Sequence, residues 1–368
     1  MAKGLILSIV ALILIASSSV CAMAQRLQVV DTDGQPVAYV CVTNEQGVLV
    51  GSTDIDGWLD DAKGTPTLVF THVAFKPRTL RLADIADGRV TLEDVEFGLP
   101  DVEVKPKELA YVQTYYRLIY FDDDGPIYFR GGVIDNTYEF ANKKVSNKKR
   151  SLSKGNSGLI RFLISTLAGR YIDEWGSLSE HSTHQQILVR EKQGFLTLSA
   201  DSAGRVTVSD SICTLGYIDT DLEAGLRTTS FDRWTYYKHR KEAERRAKGK
   251  EVKKKEEDND DNDTFYEVYR IDDQGRSRVD DFVMRQLQCI GTHKRSGGKY
   301  MILLQTYTTD RDYIDKKEYK QLRKDNKVDM EIQELQRFEQ VHKIPPLDPN
   351  IQAQIDKLFE KELGKKEQ

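Results

Sequence analysis

Cysteine and proline are scarce, with 4 and 9 among 368 residues, and no two cysteines stand at C-x-x-C spacing. That excludes a zinc knuckle of paired cysteines and a thioredoxin-like redox motif. Charge of one sign is also missing. The 54 Lys and Arg against 58 Asp and Glu leave −4 at pH 7, too near balance to steer the chain toward DNA or an anionic bilayer. Nucleic acid is therefore not expected as a partner. No G-x-S-x-G nucleophile elbow occurs; "GNSGL" at Gly155–Leu159 is spaced G-x-S-G, one residue short.

What is present begins with an address. Lys3 gives a positive start, Leu5 to Ala16 is apolar apart from Ser8, and small residues lead to Ala22-Met23-Ala24. This reads as a secretory signal peptide over 1–24, cut before Gln25; its apolar run falls short of the roughly 20 residues that span a bilayer. A competing reading makes Cys21 the lipidated first residue of a lipoprotein, against which Val20 is a poor fit just before the cut. Export to the periplasm or outer-membrane surface of a Gram-negative bacterium follows. The mature chain would keep Cys41, Cys213 and Cys289, of which at most two can pair internally; their pairing is left open, and packing of at least two of them as buried thiols is the plainer expectation.

From Arg26 to about Val104, short β runs alternate with turns: "LQVV" before Asp33-Gly34, "VAYVCV" before Asn44-Glu45-Gln46-Gly47, "VLVGST" before Asp56-Gly57, then "TLVFTHVAF" and "RTLRL". Strands of this length with glycine turns about every ten residues predict an antiparallel sandwich. The pair Asp54 and Asp56 invites a calcium loop. An EF-hand-type loop counted from Asp54 needs an oxygen ligand at position 5, glycine at 6 and glutamate at 12, where Trp58, Leu59 and Thr65 stand. A hairpin turn, with the Asp54 carboxylate accepting a backbone N–H two residues on, is the expectation.

These residues carry a resemblance. Asp31, Gly34, Pro36 and Val37, then Gly51, Thr53, Asp54, Asp56, Gly57 and Trp58, then Leu68, Phe70, Ala74 and Phe75, and finally Leu99, Val102 and Val104 resemble, over about 80 residues, the carboxypeptidase regulatory-like domain of Bacteroidetes-type bacteria. Ala74 stands where that family usually has glycine, and Trp58 where it has phenylalanine or tyrosine. The resemblance implies a seven-stranded, transthyretin-like sandwich over 25–106 that has no active site of its own. It does not extend to a zinc carboxypeptidase domain, which needs H-x-x-E and a distant histidine. Of six histidines, His72, His181, His184, His293 and His342 lack the glutamate; only His239 has it, at Glu242, in the charged setting "YKHRKEAERRAKGK". A solvated helix is the expected place for that pair. His181 and His184 would share a face only on a helix, and a polar loop before a strand "QQILVRE" is expected instead.

A second domain over 110–310 opens with Tyr-rich runs around Asp122-Asp123-Asp124-Gly125, a hairpin signal whose incomplete alternation implies cover on both faces. "NKKVSNKKRSLSKG", Asn142–Gly155, holds six basic residues and no acid; it would suit phosphate groups, yet a solvated loop is the default. Ser157 caps a short buried helix ended by Gly169. "QILVRE", "GFLTLSA" and "RVTVSD" read as an antiparallel meander, broken by a mobile charged insert at 240–263 whose first half suits a helix. Over 311–368 two helices are predicted. One carries Val328, Ile332, Leu335, Phe338 and Val341 on a face, and the other starts at Asp348-Pro349 with Ile351, Ile355, Leu358, Phe359 and Leu363. Both stripes are expected to dock on the chain's own sheet.

The fold class expected is mainly β: a transthyretin-like sandwich, then an α+β domain with an antiparallel sheet. No catalytic residue, metal ligand or cofactor is indicated by spacing. The expected function is that of an exported, non-catalytic adaptor or binding module for an envelope protein, glycan or lipid, compatible with peripheral membrane association; its oligomeric state stays open. A hydrolase with its active site in the second domain is the alternative.

Overall fold

A computed structural model describes residues 26–366 except 61, 63, 97–106, 156–165, 167–168, 180–181, 203, 250–261, 294–295, 323 and 325–328. Residues 1–24, expected to be a signal peptide, with Cys21, the motif residues Leu99, Val102 and Val104, most of the helix predicted after Ser157, "NSGL", His181 and Val328 lie outside those residues.

The chain is mainly β, with 46% of the described residues in strands and 24% helical. Seven short strands come first: β1 (Leu27–Val30), β2 (Cys41–Thr43), β3 (Leu49–Ser52), β4 (Trp58–Leu59), β5 (Thr67–His72), β6 (Phe75–Arg81) and β7 (Arg89–Thr91). They form two sheets, β4-β1-β7 and β3-β2-β5-β6. Val29, Val40, Val42, Leu68, Phe70 and Val90 fill the space between them and are fully buried or nearly so. The pairing is antiparallel except for β1 with β7, which run parallel, a departure from the all-antiparallel sandwich that alternation alone predicts. Turn glycines shape the loops. At Gly57, φ is +75° and a Cβ would stand 2.5 Å from the Val29 carbonyl oxygen, so only glycine lets the loop close there.

Ten further strands make one antiparallel sheet: β8 (Leu109–Asp122), β9 (Gly125–Glu139), β10 (Lys144–Gly155), β11 (Thr197–Ala200), β12 (Val206–Ser209), β13 (Thr214–Asp221), β14 (Leu226–Asp232), β15 (Asn262–Arg270), β16 (Phe282–Thr292) and β17 (Lys299–Ile314). Their order is β10-β9-β8-β17-β16-β15-β14-β13-β12-β11. The chain steps outward from β8 to β10, crosses to the far edge, and meanders back until β17 closes on β8. Both faces of its central strands are covered, which is why those strands lack clean polar alternation. On one face Tyr115, Ile119, Phe121, Met301, Leu303 and Tyr307 share a core with Cys41, Val69 and Val73 of the sandwich. On the other, Tyr116, Leu118, Tyr120, Leu287, Ile302 and Leu304 pack beneath the crossover at Ile172 and Trp175.

Two buried polar devices hold these layers. Arg285 and Glu267, cross-strand partners each 1% exposed, are joined Nε to Oε1 at 2.7 Å. Arg285 also donates to the carbonyls of Trp175 and Ser177, and Glu267 accepts from the Thr183 N–H at 2.7 Å. The pair thus ties the crossover to the sheet. On the opposite face Gln286 and Gln288 donate to the Tyr39 carbonyl at 2.9 and 2.6 Å, Gln286 accepts from the Val73 N–H, and Ser52 donates to Gln288. The sandwich is welded to the sheet by such bonds, which are costly to break once buried.

The helices correct several expectations. "QQILVRE" is not a strand but part of α1 (Thr183–Lys192), started by Ser182, whose Oγ accepts from the Gln185 N–H. The signature Ser-x-x-Gln is a helix start and outweighs the short apolar alternation. α2 (Arg233–Ala247) carries the first part of the charged insert. The basic run is not a loop: Lys144–Gly155 is edge strand β10, and its side chains have local partners. Lys149 pairs with Asp173, Arg150 lies 3.6 Å from Glu334, Lys148 donates to the Leu322 carbonyl and Lys154 sits over the Phe359 ring. Lysine-rich edges blunt pairing with other chains. α3 (Lys316–Leu322), absent from the sequence reading, precedes α4 (Ile332–Val341) and α5 (Pro349–Lys366). Leu335, Ile351, Ile355 and Leu358 dock on the sheet as expected, but Val341 is 68% exposed and leaves the stripe.

Candidate functional site

Asp54, the first residue of the tempting acidic pair, is committed to its turn. Its Oδ1 accepts from the N–H groups of Asp56 at 2.9 Å and Trp58 at 2.8 Å, and its other oxygen lies 3.6 Å from Arg26 Nη2. Asp56 accepts from the Tyr217 hydroxyl at 2.7 Å, a bond from the sandwich to β13. The turn expected from the sequence forms, but not as a hairpin: it carries the chain from β3 in one sheet of the sandwich to β4 in the other. His184 lies on α1, largely buried, and desolvation lowers its pKa to about 4.

The chemistry gathers elsewhere, at the outer end of the large sheet. The turn between β12 and β13 starts at Asp210, whose N–H donates to the Cys213 carbonyl at 3.1 Å. Asp210 Oδ1 accepts from the N–H groups of Ile212 and Cys213 at 2.7 and 2.9 Å. This leaves Oδ2, which meets His239 Nδ1 at 2.6 Å. His239 comes from α2, whose start is fixed by Asp232 accepting from the Thr235 N–H and hydroxyl. One ligating atom from each of Asp210, Cys213 and His239 lies within 4.8 Å of the others. The Asp210 and His239 side chains are 8% and 17% exposed, while Cys213 is exposed. Glu242 lies instead beside Arg246 at 3.7 Å.

The electrostatics follow from that placement. Desolvation pushes the Asp210 carboxyl up, but the Cys213 N–H, the His239 ring and the Ile212 N–H together outweigh it and hold it below the usual carboxylate range. Desolvation, then the charges of Asp210 and Asp232, push the Cys213 thiol up. A bare thiolate is therefore disfavoured there, and a cation would reverse the balance. The other cysteines are apart: Cys41 is buried with its pKa raised by desolvation, Cys289 is half-buried, and none of the three is in a disulfide.

The elements at this end of the sheet carry large exposed side chains: Val189 on α1, Ile212 next to Cys213 in the turn, and Trp234 and Tyr237 one turn apart on α2. Arg190 donates to the Tyr237 hydroxyl and lies over the Tyr236 ring at 4.8 Å, joining α1 to α2. By contrast, a recess lined by Tyr111, Asp135, Thr137 and Lys148 encloses only about 20 Å³, room for one water.

Sequence reading tested His239 only against Glu242 and the cysteines only against one another. The visible signal was Asp210-x-x-Cys213 in a turn, but its third member lies 26 positions further on, and nothing local announces it. No family model matches the chain, and no curated protein matches it.

Proposed function

We propose that this chain is an exported envelope protein that works by binding a partner protein at the outer end of its large sheet, with the N-terminal sandwich as a fixed adaptor. The observation that carries the reading is the exposure of Trp234, Tyr237, Val189 and Ile212, at 43–60%, with Arg190 donating to the Tyr237 hydroxyl. Trp, Tyr and Arg dominate the energetics of protein interfaces. The signal-like first 24 residues and the resemblance of residues 26–104 to a non-catalytic module support export and an adaptor role. No helix of the described residues is long and apolar enough to cross a membrane.

The test is a photo-crosslinking amino acid placed at position 234 in cells, with Asp87, exposed on the sandwich, as control site. A discrete protein adduct from position 234 and none from position 87 is expected. Equal labelling from both sites, or adducts only with glycan or lipid, would overturn the protein-partner reading.

One observation favours a second reading, a thiol hydrolase. Asp210, His239 and Cys213 are the residue types of an orienter, base and nucleophile. Desolvation and two nearby carboxylates act against it by raising the thiol. Stoichiometric alkylation of Cys213 well below pH 8, together with ester hydrolysis lost in Cys213→Ser, would establish it.

A further inference from the structure

We propose that Asp210, Cys213 and His239 form a three-ligand site for a thiophilic divalent transition metal of the zinc class, with a fourth position open to water or to a group from outside the chain. The inference stands whether or not the partner-binding reading holds.

Three observations carry it. The first is convergence: carboxylate, thiol and imidazole come from a turn and a helix 26 residues apart, yet their ligating atoms lie within 4.8 Å of one another. Tetrahedral zinc, with bonds of about 2.0–2.3 Å, needs neighbouring ligand atoms roughly 3.3–3.8 Å apart. The 2.6 Å contact between Asp210 and His239 must therefore open by somewhat less than about 1 Å. The second is preorganisation. Asp210 spends one oxygen on its own turn and keeps the other for the site, the turn is closed by the Asp210 N–H to Cys213 bond, and α2 is pinned at its start by Asp232. The third is donor chemistry: one sulfur, one nitrogen and one oxygen match zinc or cobalt, whereas calcium and magnesium take oxygen alone.

Binding has a simple balance. Cys213 gives up its S–H proton to solvent, and His239 coordinates through Nδ1 with its proton on Nε2. The thiolate and the Asp210 carboxylate together cancel the metal's two positive charges. Affinity should thus rise with pH as the proton becomes easier to release.

The test uses the purified mature chain under reducing conditions, titrated with cobalt(II) as a spectroscopic stand-in and then with zinc. Expected is one equivalent of cobalt with a thiolate-to-cobalt charge-transfer band, displaced by zinc. The band should vanish in Cys213→Ser, and affinity should fall at least tenfold in His239→Gln and Asp210→Asn. Cys213 is exposed, so the serine variant should keep its circular dichroism; asparagine can still close the turn at 210. Absence of the band in the parent chain, or its survival in Cys213→Ser, would overturn the site.

Discussion

Two turns of this chain use the same local device to different ends. At both Asp54 and Asp210 one carboxylate oxygen accepts a pair of backbone N–H groups from the following residues. They differ in what the remaining oxygen meets. At Asp54 it faces Arg26 across 3.6 Å with both side chains about half exposed, where an ion pair contributes little. At Asp210 it meets His239 at 2.6 Å, largely shielded, with a thiol alongside. An aspartate in a turn is thus a structural residue or a candidate ligand according to its tertiary neighbour, not its own loop.

The comparison can be pressed hardest at Glu267, a carboxylate with no exposed side at all. Glu267→Ala would leave Arg285 charged and unpaired in the sheet, and should cost about 3–5 kcal/mol of unfolding free energy in denaturant titrations. A loss below about 1 kcal/mol would mean that the crossover is not held through this pair. Next in size is the metal at Asp210. Zinc at 100 times its dissociation constant should stabilise the parent chain by about 2.7 kcal/mol and leave Cys213→Ser unmoved, as read by thermal unfolding.

Acid comes third. His72 is buried between Phe75 and Tyr266 at the sandwich–sheet junction, accepts from the Ala74 N–H, and has its pKa lowered by desolvation to about 3. In the unfolded chain it titrates near about 6.5. Stability is then fully present above that value and falls as pH drops toward 3, because only the unfolded chain takes up the proton in that window. The slope from His72 is at most about 1.4 kcal/mol per pH unit, with His184 adding a similar limb down to about 4. His72→Phe should flatten the acid limb; an unchanged pH profile would remove His72 from the account. Smallest is the turn itself. Asp54→Ala should cost about 1 kcal/mol, in the range of a lost cap, while Asp54→Asn should cost a few tenths.

Much of the fold was legible because its signals are short. Asp31, Asn44, Asp54 and Asp272 each precede a glycine by three residues and each accept two backbone N–H groups within four positions. The covered faces of the large sheet were legible from incomplete alternation around Tyr111–Phe121. The misreadings arose where two local signals competed. Ile187-Leu188-Val189 suggested a strand while Ser182 and Gln185 marked a helix start. The lysines of 144–154 suggested solvent, yet an edge strand tolerates them and the C-terminal helices supply Glu334 and Phe359 as partners. The candidate site was illegible because none of its three members is unusual beside its own neighbours.

Sequence by itself determined the hairpins, the mainly β class and the helical tail, since positive φ at glycine, side-chain caps and residue spacing act over a few positions. Tertiary structure alone decided which carboxylate is buried, which is bonded to a turn, and which meets a histidine and a thiol. Those outcomes depend on packing α2 against β13 and β15, and a contact between residues 29 positions apart leaves no mark on either segment.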